Sequence, residues 1–292
     1  MSWRTVVVTG NTKLDYKLGY LVVRKQGDVK QVHLSEIEVL MVESTAVSLT
    51  SMLLCELIKN KINVIFCDNK HNPISELLSL YGSHDTSAKV REQVVFSEDI
   101  KARVWTRIVE DKIRKQKELL WEVNCKDESK MLQSYIDELQ YNDGTNREGH
   151  AAKVYFNALF GKAFVRGDEN ATNAALNYGY GILLSYFNRE IVANGYLTQL
   201  GVFHNNIFNQ FNLSSDLMEP FRILVDRMVF RLELEKFEVE EKHELLSLFY
   251  QNIRIDNQLQ NISNAIRIYV QSVFYALKED NEYLIKFYNY EL

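Results

Sequence analysis

The sequence predicts an α+β protein: a β-rich N-terminal part followed by a larger, all-helical C-terminal part. Three observations carry this. Residues 1 to about 80 hold short β-branched runs separated by turn residues. The segment Gly82 to Lys89 is small and polar, and the hydrophobic period changes there from two to 3.6. From Ser97 onward apolar residues recur at helical spacing. The predicted organisation is a β-rich domain over 1–81, a linker over 82–96 and a helical domain over 97–292.

Taken in order, Trp3 to Thr9 reads as the first strand, and Gly10-Asn11-Thr12 ends it. Tyr20 to Arg24 and Val29 to Leu34 flank Gly27-Asp28, a hairpin signal. Val39 to Val42 and Val47 to Leu49 are further short apolar runs. Ser51 to Lys59 fits one helix capped by Thr50 or Ser51, and Asn63 to Cys67 returns to strand. Asp99 to Trp121 reads as a long helix with two faces. At about 100° per residue, Arg103, Arg107, Arg114 and Lys117 share one stripe, opposite Val104, Ile108, Val109, Ile113 and Leu120. Such a stripe is either a solvated face or a ridge that tracks phosphates. Helices are also predicted over Glu128 to Leu139, Glu240 to Tyr250 and Ser263 to Lys278. The tail from Tyr283 to Leu292 is too apolar to hang free, so it should pack on the body or on a partner.

The totals fit a globular chain of one or two domains: 292 residues, 46% apolar, with two prolines and no low-complexity tract. The net charge of −5 runs against a strongly basic nucleic-acid binder, although a local basic surface remains compatible with it. Three cysteines without a CxxC argue against a disulfide framework or zinc site, and Cys55 and Cys67 read as small core residues of a protein in a reducing compartment. No apolar run reaches the roughly 20 residues that cross a bilayer, and the start lacks the order of a signal peptide. The expectation is a cytoplasmic protein with no membrane association.

Chemistry concentrates between Asn146 and Asp226. Glu148, His204 and Glu219 are side chains of the kind that hold a hard divalent metal. Each also has an ordinary reading. Thr145-Asn146-Arg147-Glu148 fits a capping box, which would make Glu148 a helix cap. His204 follows an apolar segment in a polar loop. Glu219 precedes Pro220 in a helix expected to be capped at Ser214 or Ser215, where acids favour the N-terminus. His150, two residues past Glu148, points to another side of the same helix and is read as supporting or structural. Gly179 and Gly181 read as close helix packing, since no phosphate-binding loop pattern is present.

Order and surroundings add to this. The segments Asn146-Arg147-Glu148-Gly149-His150-Ala151-Ala152, Asn173 to Tyr180, Gly201-Val202-Phe203-His204 and Ser215-Asp216-Leu217-Met218-Glu219-Pro220-Phe221-Arg222 resemble the CRISPR-associated integrase, the universal adaptation protein of CRISPR systems. Trp3 to Val8, His33 to Ile37 and Ile65 to Asp68 look like its subtype II-A branch, so the resemblance spans essentially the whole chain. It implies an N-terminal β-sandwich ahead of the helical domain. It implies a metal-dependent endonuclease that inserts spacers into a CRISPR array, using a 3′-hydroxyl to attack a repeat phosphodiester. Glu148, His204 and Glu219 fall on the family's metal ligands, for Mg²⁺ or Mn²⁺, and Asp216 on a further acidic position. Where many relatives have a second proline, this chain has Ile223. The implied partners are double-stranded DNA (spacer precursor and repeat), a second copy of the chain, and a small adaptation protein bridging two dimers in a 4:2 complex. DNA would run along the Arg103, Arg107, Arg114 and Lys117 stripe, or near Arg147, Lys153, Lys162 and Arg166. The competing reading is a non-catalytic DNA-binding scaffold whose acids are helix caps.

Overall fold

The computed structural model describes residues 4–25, 27–80 and 82–290. The chain divides into two compact units, 1–81 and 82–292. Trp3, Gln26 and the last two tail residues lie outside the described residues.

In the first unit the strands are β1 (Arg4–Val8), β2 (Thr12–Lys17), β3 (Tyr20–Lys25), β4 (Asp28–His33), β5 (Ile37–Val42) and β6 (Val47–Leu49). Helix α1 (Ser51–Lys59), β7 (Asn63–Cys67) and β8 (Pro73–Leu77) complete it. One four-stranded sheet runs β1-β5-β7-β8 and the other β4-β3-β2-β6. Val8, Leu40 and Val64 of the first sheet share one core with Leu14 and Leu21 of the second and with Leu53 and Leu57 of α1. The Thr50 hydroxyl accepts the Leu53 N–H at 3.3 Å, which starts α1 where its period begins. Strand β8 went unpredicted because it opens on Pro73. Proline cannot donate to a ladder, but β8 is an edge strand and Pro73 its first residue, where that loss is tolerated. Cys67 is buried, whereas Cys55 is exposed on α1 rather than a core residue.

The second unit opens with α2 (Thr86–Val95), which occupies most of the span read as a linker. There follow α3 (Glu98–Glu122), α4 (Lys126–Asp137), α5 (Arg147–Phe160), α6 (Ala171–Ala193), α7 (Asn212–Leu217), α8 (Arg222–Leu232) and α9 (Val239–Leu246). The chain ends with β9 (Asn252–Ile255), β10 (Gln258–Asn261), α10 (Ile262–Lys278) and β11 (Tyr288–Asn289). Ser97, Asn170 and Asn261 cap α3, α6 and α10 with their side chains. Gly179 lets α6 approach α8, since a Cβ there would stand 2.5 Å from a Val225 methyl.

This unit is helical but not all-helical. Strands β10-β9-β11 form a small antiparallel sheet. Its hairpin turns on Asp256-Asn257, at φ +52° and +59°, the left-handed pair that a two-residue hairpin requires. The tail supplies the third strand. Tyr288 is buried against Phe221, with ring centroids 4.6 Å apart, and its hydroxyl donates to the Pro220 carbonyl at 3.0 Å. The aromatic tail thus packs on its own unit, beneath the turn that carries Glu219. Among the described residues no helix is long and apolar enough to cross a membrane.

Candidate functional site

The site is built around α3. Lys112 projects from its buried face, and its Nζ donates to Glu148 Oε1 and, at 2.5 Å, to Glu219 Oε2. The Lys112 and Glu219 side chains are 7% and 8% exposed, that of Glu148 28%. Arg222 forms an ion pair with the other Glu219 oxygen at 3.0 Å. Burial alone would drive the Lys112 ammonium toward its neutral form. Glu219, then Glu148, reverse this and hold it above its ordinary range. Burial would likewise raise Glu219, but Arg222 and Lys112 keep its carboxyl below the usual carboxylate range.

Local sequence explains why both carboxylates are available. Asn146 adopts a left-handed conformation at φ +54° and its side chain caps nothing. Asp143 caps α5 instead, accepting the backbone N–H groups of Arg147 at 2.7 Å and Glu148 at 3.0 Å. The Thr145-to-Glu148 capping box is therefore not formed, and Glu148 turns to Lys112. Gly149 follows because a Cβ would press within 2.8 Å of the Asn146 amide. Glu219 does not lie within one helix capped at Ser214 or Ser215. Those serines sit inside α7, and Glu219 opens a separate 3-10 turn, Glu219–Phe221, ahead of α8. Pro220 has no N–H to continue an α-helical ladder, so the chain kinks there.

His204 arrives on the turn after Gly201. A Cβ at Gly201 would stand 2.3 Å from the His204 carbonyl oxygen and 2.7 Å from Asp216 Oδ2, so glycine is required for this approach. Asp216 is fully buried and accepts the backbone N–H groups of Val202 at 2.8 Å, Phe203 at 3.0 Å and His204 at 3.2 Å. It also pairs with His204 Nδ1. That bond, opposed by burial, raises the imidazole above its ordinary range. With Nδ1 engaged, Nε2 is the nitrogen left for a ligand. Trp105 of α3 stacks on Phe203 with centroids 4.4 Å apart and meets the His204 ring edge-on at 5.7 Å. Both Glu219 and Glu148 act on His204 electrostatically.

Behind Glu219 lies a second buried acid. Asp226 accepts from the hydroxyls of Tyr155, at 3.0 Å, and Tyr180. Burial pushes its carboxyl up to about 6. The Arg222 guanidinium lies over the Tyr180 ring at 4.7 Å, which joins this network to Glu219.

Among the described residues, no three His, Cys, Asp or Glu side chains stand together as a ready metal cage. The donor chemistry nevertheless suits a hard divalent ion. Two carboxylates already converge on one cationic nitrogen, and an imidazole whose far side is held by a carboxylate is how a ligating histidine is usually oriented.

Other expectations change. His150 is exposed and its ring faces Tyr135 at 6.2 Å, so it does not support the carboxylates. The α3 stripe is not an open basic ridge. Arg103 pairs with Asp99, Asp280 and Glu282, Arg107 with Glu110, Arg114 with Asp111, and Lys117 bonds to Gln133. The three arginines are met by acids three or four residues away, Arg103 also by the C-terminal segment, while Lys117 meets a neutral amide. Arg147 pairs with Glu138 at 2.6 Å, and Arg166 binds the side chains of Asn173 and Asn177. Lys153 and Lys162 are exposed. Lys112, Arg222 and Trp105 went unassigned. A lysine seven residues after Trp105 and four after Ile108, on the apolar side of a helix, was the signal for the first.

Comparisons with known proteins show what the chain as a whole is similar to. The family model described as CRISPR associated protein Cas1 matches residues 5–247. A CRISPR-associated endonuclease Cas1 from Neisseria meningitidis serogroup C (strain 8013) is 32% identical over 292 residues, covering 98% of this chain and 96% of that protein. One from Pyrobaculum aerophilum is 30% identical over 78% of this chain and 81% of that protein. In fold, the chain is similar to a casposase bound to integration product (TM-score 0.76, 16% identity, 97% of this chain, 92% of that one). It is similar to a CAS1 protein from Thermotoga maritima (TM-score 0.72, 16% identity, 94% and 97%). It also matches 36% of a longer chain in a Cas6-RT-Cas1–Cas2 complex (TM-score 0.75, 17% identity, 97% of this chain). With the family match covering most of its length and the Neisseria relative nearly all of it, this chain is a member of the CRISPR-associated Cas1 family.

Proposed function

We propose that this protein is a divalent-metal-dependent DNA integrase and endonuclease that inserts spacers into a CRISPR array. The observation that carries the reading is the convergence of Glu148 and Glu219 on one cation, beside a histidine anchored through Nδ1. Glu148, Glu219 and His204 Nε2 would hold Mg²⁺ or Mn²⁺. A divalent ion bound there makes an attacking hydroxyl more acidic and offsets charge on the phosphoryl oxygens.

The chain's own residues do the positioning. Asp216 fixes the His204 tautomer and ring plane, and Gly201 permits the turn that brings the two together. Arg222 anchors one Glu219 oxygen and leaves the other to Lys112, which also holds Glu148. The reaction is attack by a spacer 3′-hydroxyl on a repeat phosphodiester, with the repeat's 3′-oxygen leaving, so no covalent protein intermediate is needed. We assign the duplex to exposed Lys153 and Lys162, on and just past α5, since the α3 arginines are already paired with acids. The likeness to Cas1–Cas2 assemblies supports a small adaptation protein as partner; the 4:2 complex with two dimers of this chain is proposed on the sequence resemblance.

Strand transfer into a repeat-bearing plasmid tests this. Glu148→Ala and His204→Ala should abolish transfer while the circular-dichroism spectrum is kept. Asp216→Asn should lower it about 10–100-fold by loosening His204. Transfer at the parent rate in both alanine variants would remove the assignment.

A further inference from the structure

Glu148 and Glu219 are already charge-matched by side chains of the protein itself. The two carboxylates face two cations, Lys112 and Arg222. Asp216 is matched separately by three backbone N–H groups and His204. A divalent ion entering between Glu148 and Glu219 would meet the ammonium on the very oxygens it needs. It would also leave a buried cluster with excess positive charge, which low-dielectric surroundings penalise. Two changes relieve this. The Lys112 ammonium can leave the carboxylates, and a DNA phosphate can arrive with negative charge.

We propose that Lys112 is a counter-ion of Glu148 and Glu219 that competes with the metal for them until a DNA phosphate takes over its ammonium. Metal and DNA therefore load cooperatively, and the free protein holds its metal weakly. Lys112 is placed for the exchange. It sits on the long helix α3, buried like Ile108 and Ile113 of the same helix, with its Nζ within reach of both acids. This inference rests on the metal-site reading above, and linkage makes it reciprocal: DNA must tighten metal binding by the factor that metal tightens DNA binding.

The test is calorimetric titration of Mn²⁺ into the full-length protein, with and without a duplex carrying the repeat. Lys112→Met removes the charge and keeps the apolar stem; Lys112→Gln keeps an N–H donor for one carboxylate and guards against misfolding. The duplex should tighten Mn²⁺ binding to the parent at least tenfold. Both variants should bind Mn²⁺ at least tenfold more tightly than the parent without DNA, and should gain less from the duplex. Mn²⁺ should also raise their thermal midpoints more than the parent's. Variants that bind Mn²⁺ no tighter than the parent, while Glu148→Gln abolishes binding, would overturn the counter-ion role and leave the metal site standing. No Mn²⁺ binding by any form, with or without duplex, would sink both.

Discussion

Two faces of helix α3 carry charge, and they differ in what answers it. On the outward face, Arg107 meets Glu110 three residues on, and Arg103 meets Asp99 four residues back. On the inward face, Lys112 meets Glu148 and Glu219, 36 and 107 residues away in sequence. The first kind of pairing forms in any isolated helix and contributes little. The second requires the whole unit to fold, because only packing of α3 against α5 and the Glu219 turn brings the partners together. Arg107 finds its partner within its own helix, whereas Lys112 finds its partners only once the unit has folded, at the candidate site.

The comparison is broken most severely at Asp111. Its side chain is 2% exposed and answers Lys115, itself 5% exposed. Burial already moves the Lys115 ammonium below its ordinary range against the pull of Asp111. Asp111→Asn removes the carboxylate that both Lys115 and Arg114 pair with and should cost about 3–5 kcal/mol, toward the low end because Lys115 can shed its proton and lies over the Tyr288 ring at 4.0 Å. Urea unfolding at neutral pH measures it. A loss under about 1 kcal/mol would mean the inward charges are no more coupled to folding than surface ones.

Asp226 sharpens the contrast, since hydroxyls rather than a salt bridge answer it. Its folded-state carboxyl titrates at about 6 because burial disfavours the charge. An unfolded aspartate titrates near ~3.9. Between those values the folded protein keeps a proton that the unfolded chain has released. Stability should therefore fall as pH rises from about 4 to about 6 and level off above, by about 3 kcal/mol in all. Asp226→Asn, still able to bond Tyr155 and Tyr180, should lose that slope. Parallel stability-versus-pH curves for parent and variant would place the proton elsewhere.

The same division explains what the sequence made legible. Period and capping residues are local, so α1, β7, α3 and α10 were readable to within a residue or two. The Asp256-Asn257 hairpin carried a local signal too, but β9 and β10 hold four residues each and are sheltered by a tail strand from far along the chain. At the site, the resemblance supplied Glu148, His204 and Glu219, while residue patterns left Glu148 divided between cap and ligand. Asp143, a residue outside the expected capping box, takes the cap, and the Glu148 carboxylate pairs with Lys112 instead. Lys112 showed only as a cation on the wrong face. Its partners depend on packing that no periodicity encodes.

The smallest expected effect is the most direct check on the outward face. Arg107→Ala removes a half-buried i, i+3 pair with Glu110 and should change stability by no more than about 1 kcal/mol. Because the guanidinium is already paired, it has no free charge for DNA. The variant should therefore bind duplex with the parent's affinity and the same dependence on salt. Lys153→Ala and Lys162→Ala remove exposed cations instead. If each neutralises one phosphate, each should flatten the logarithmic salt slope by about 0.9 and weaken binding alike for every sequence. Filter binding across a salt series compares the three. Flattening by Arg107→Ala, with none from the two lysines, would return the DNA path to α3 and show that DNA competes successfully with the local acids. An unchanged slope in all three would place the phosphates on neither surface.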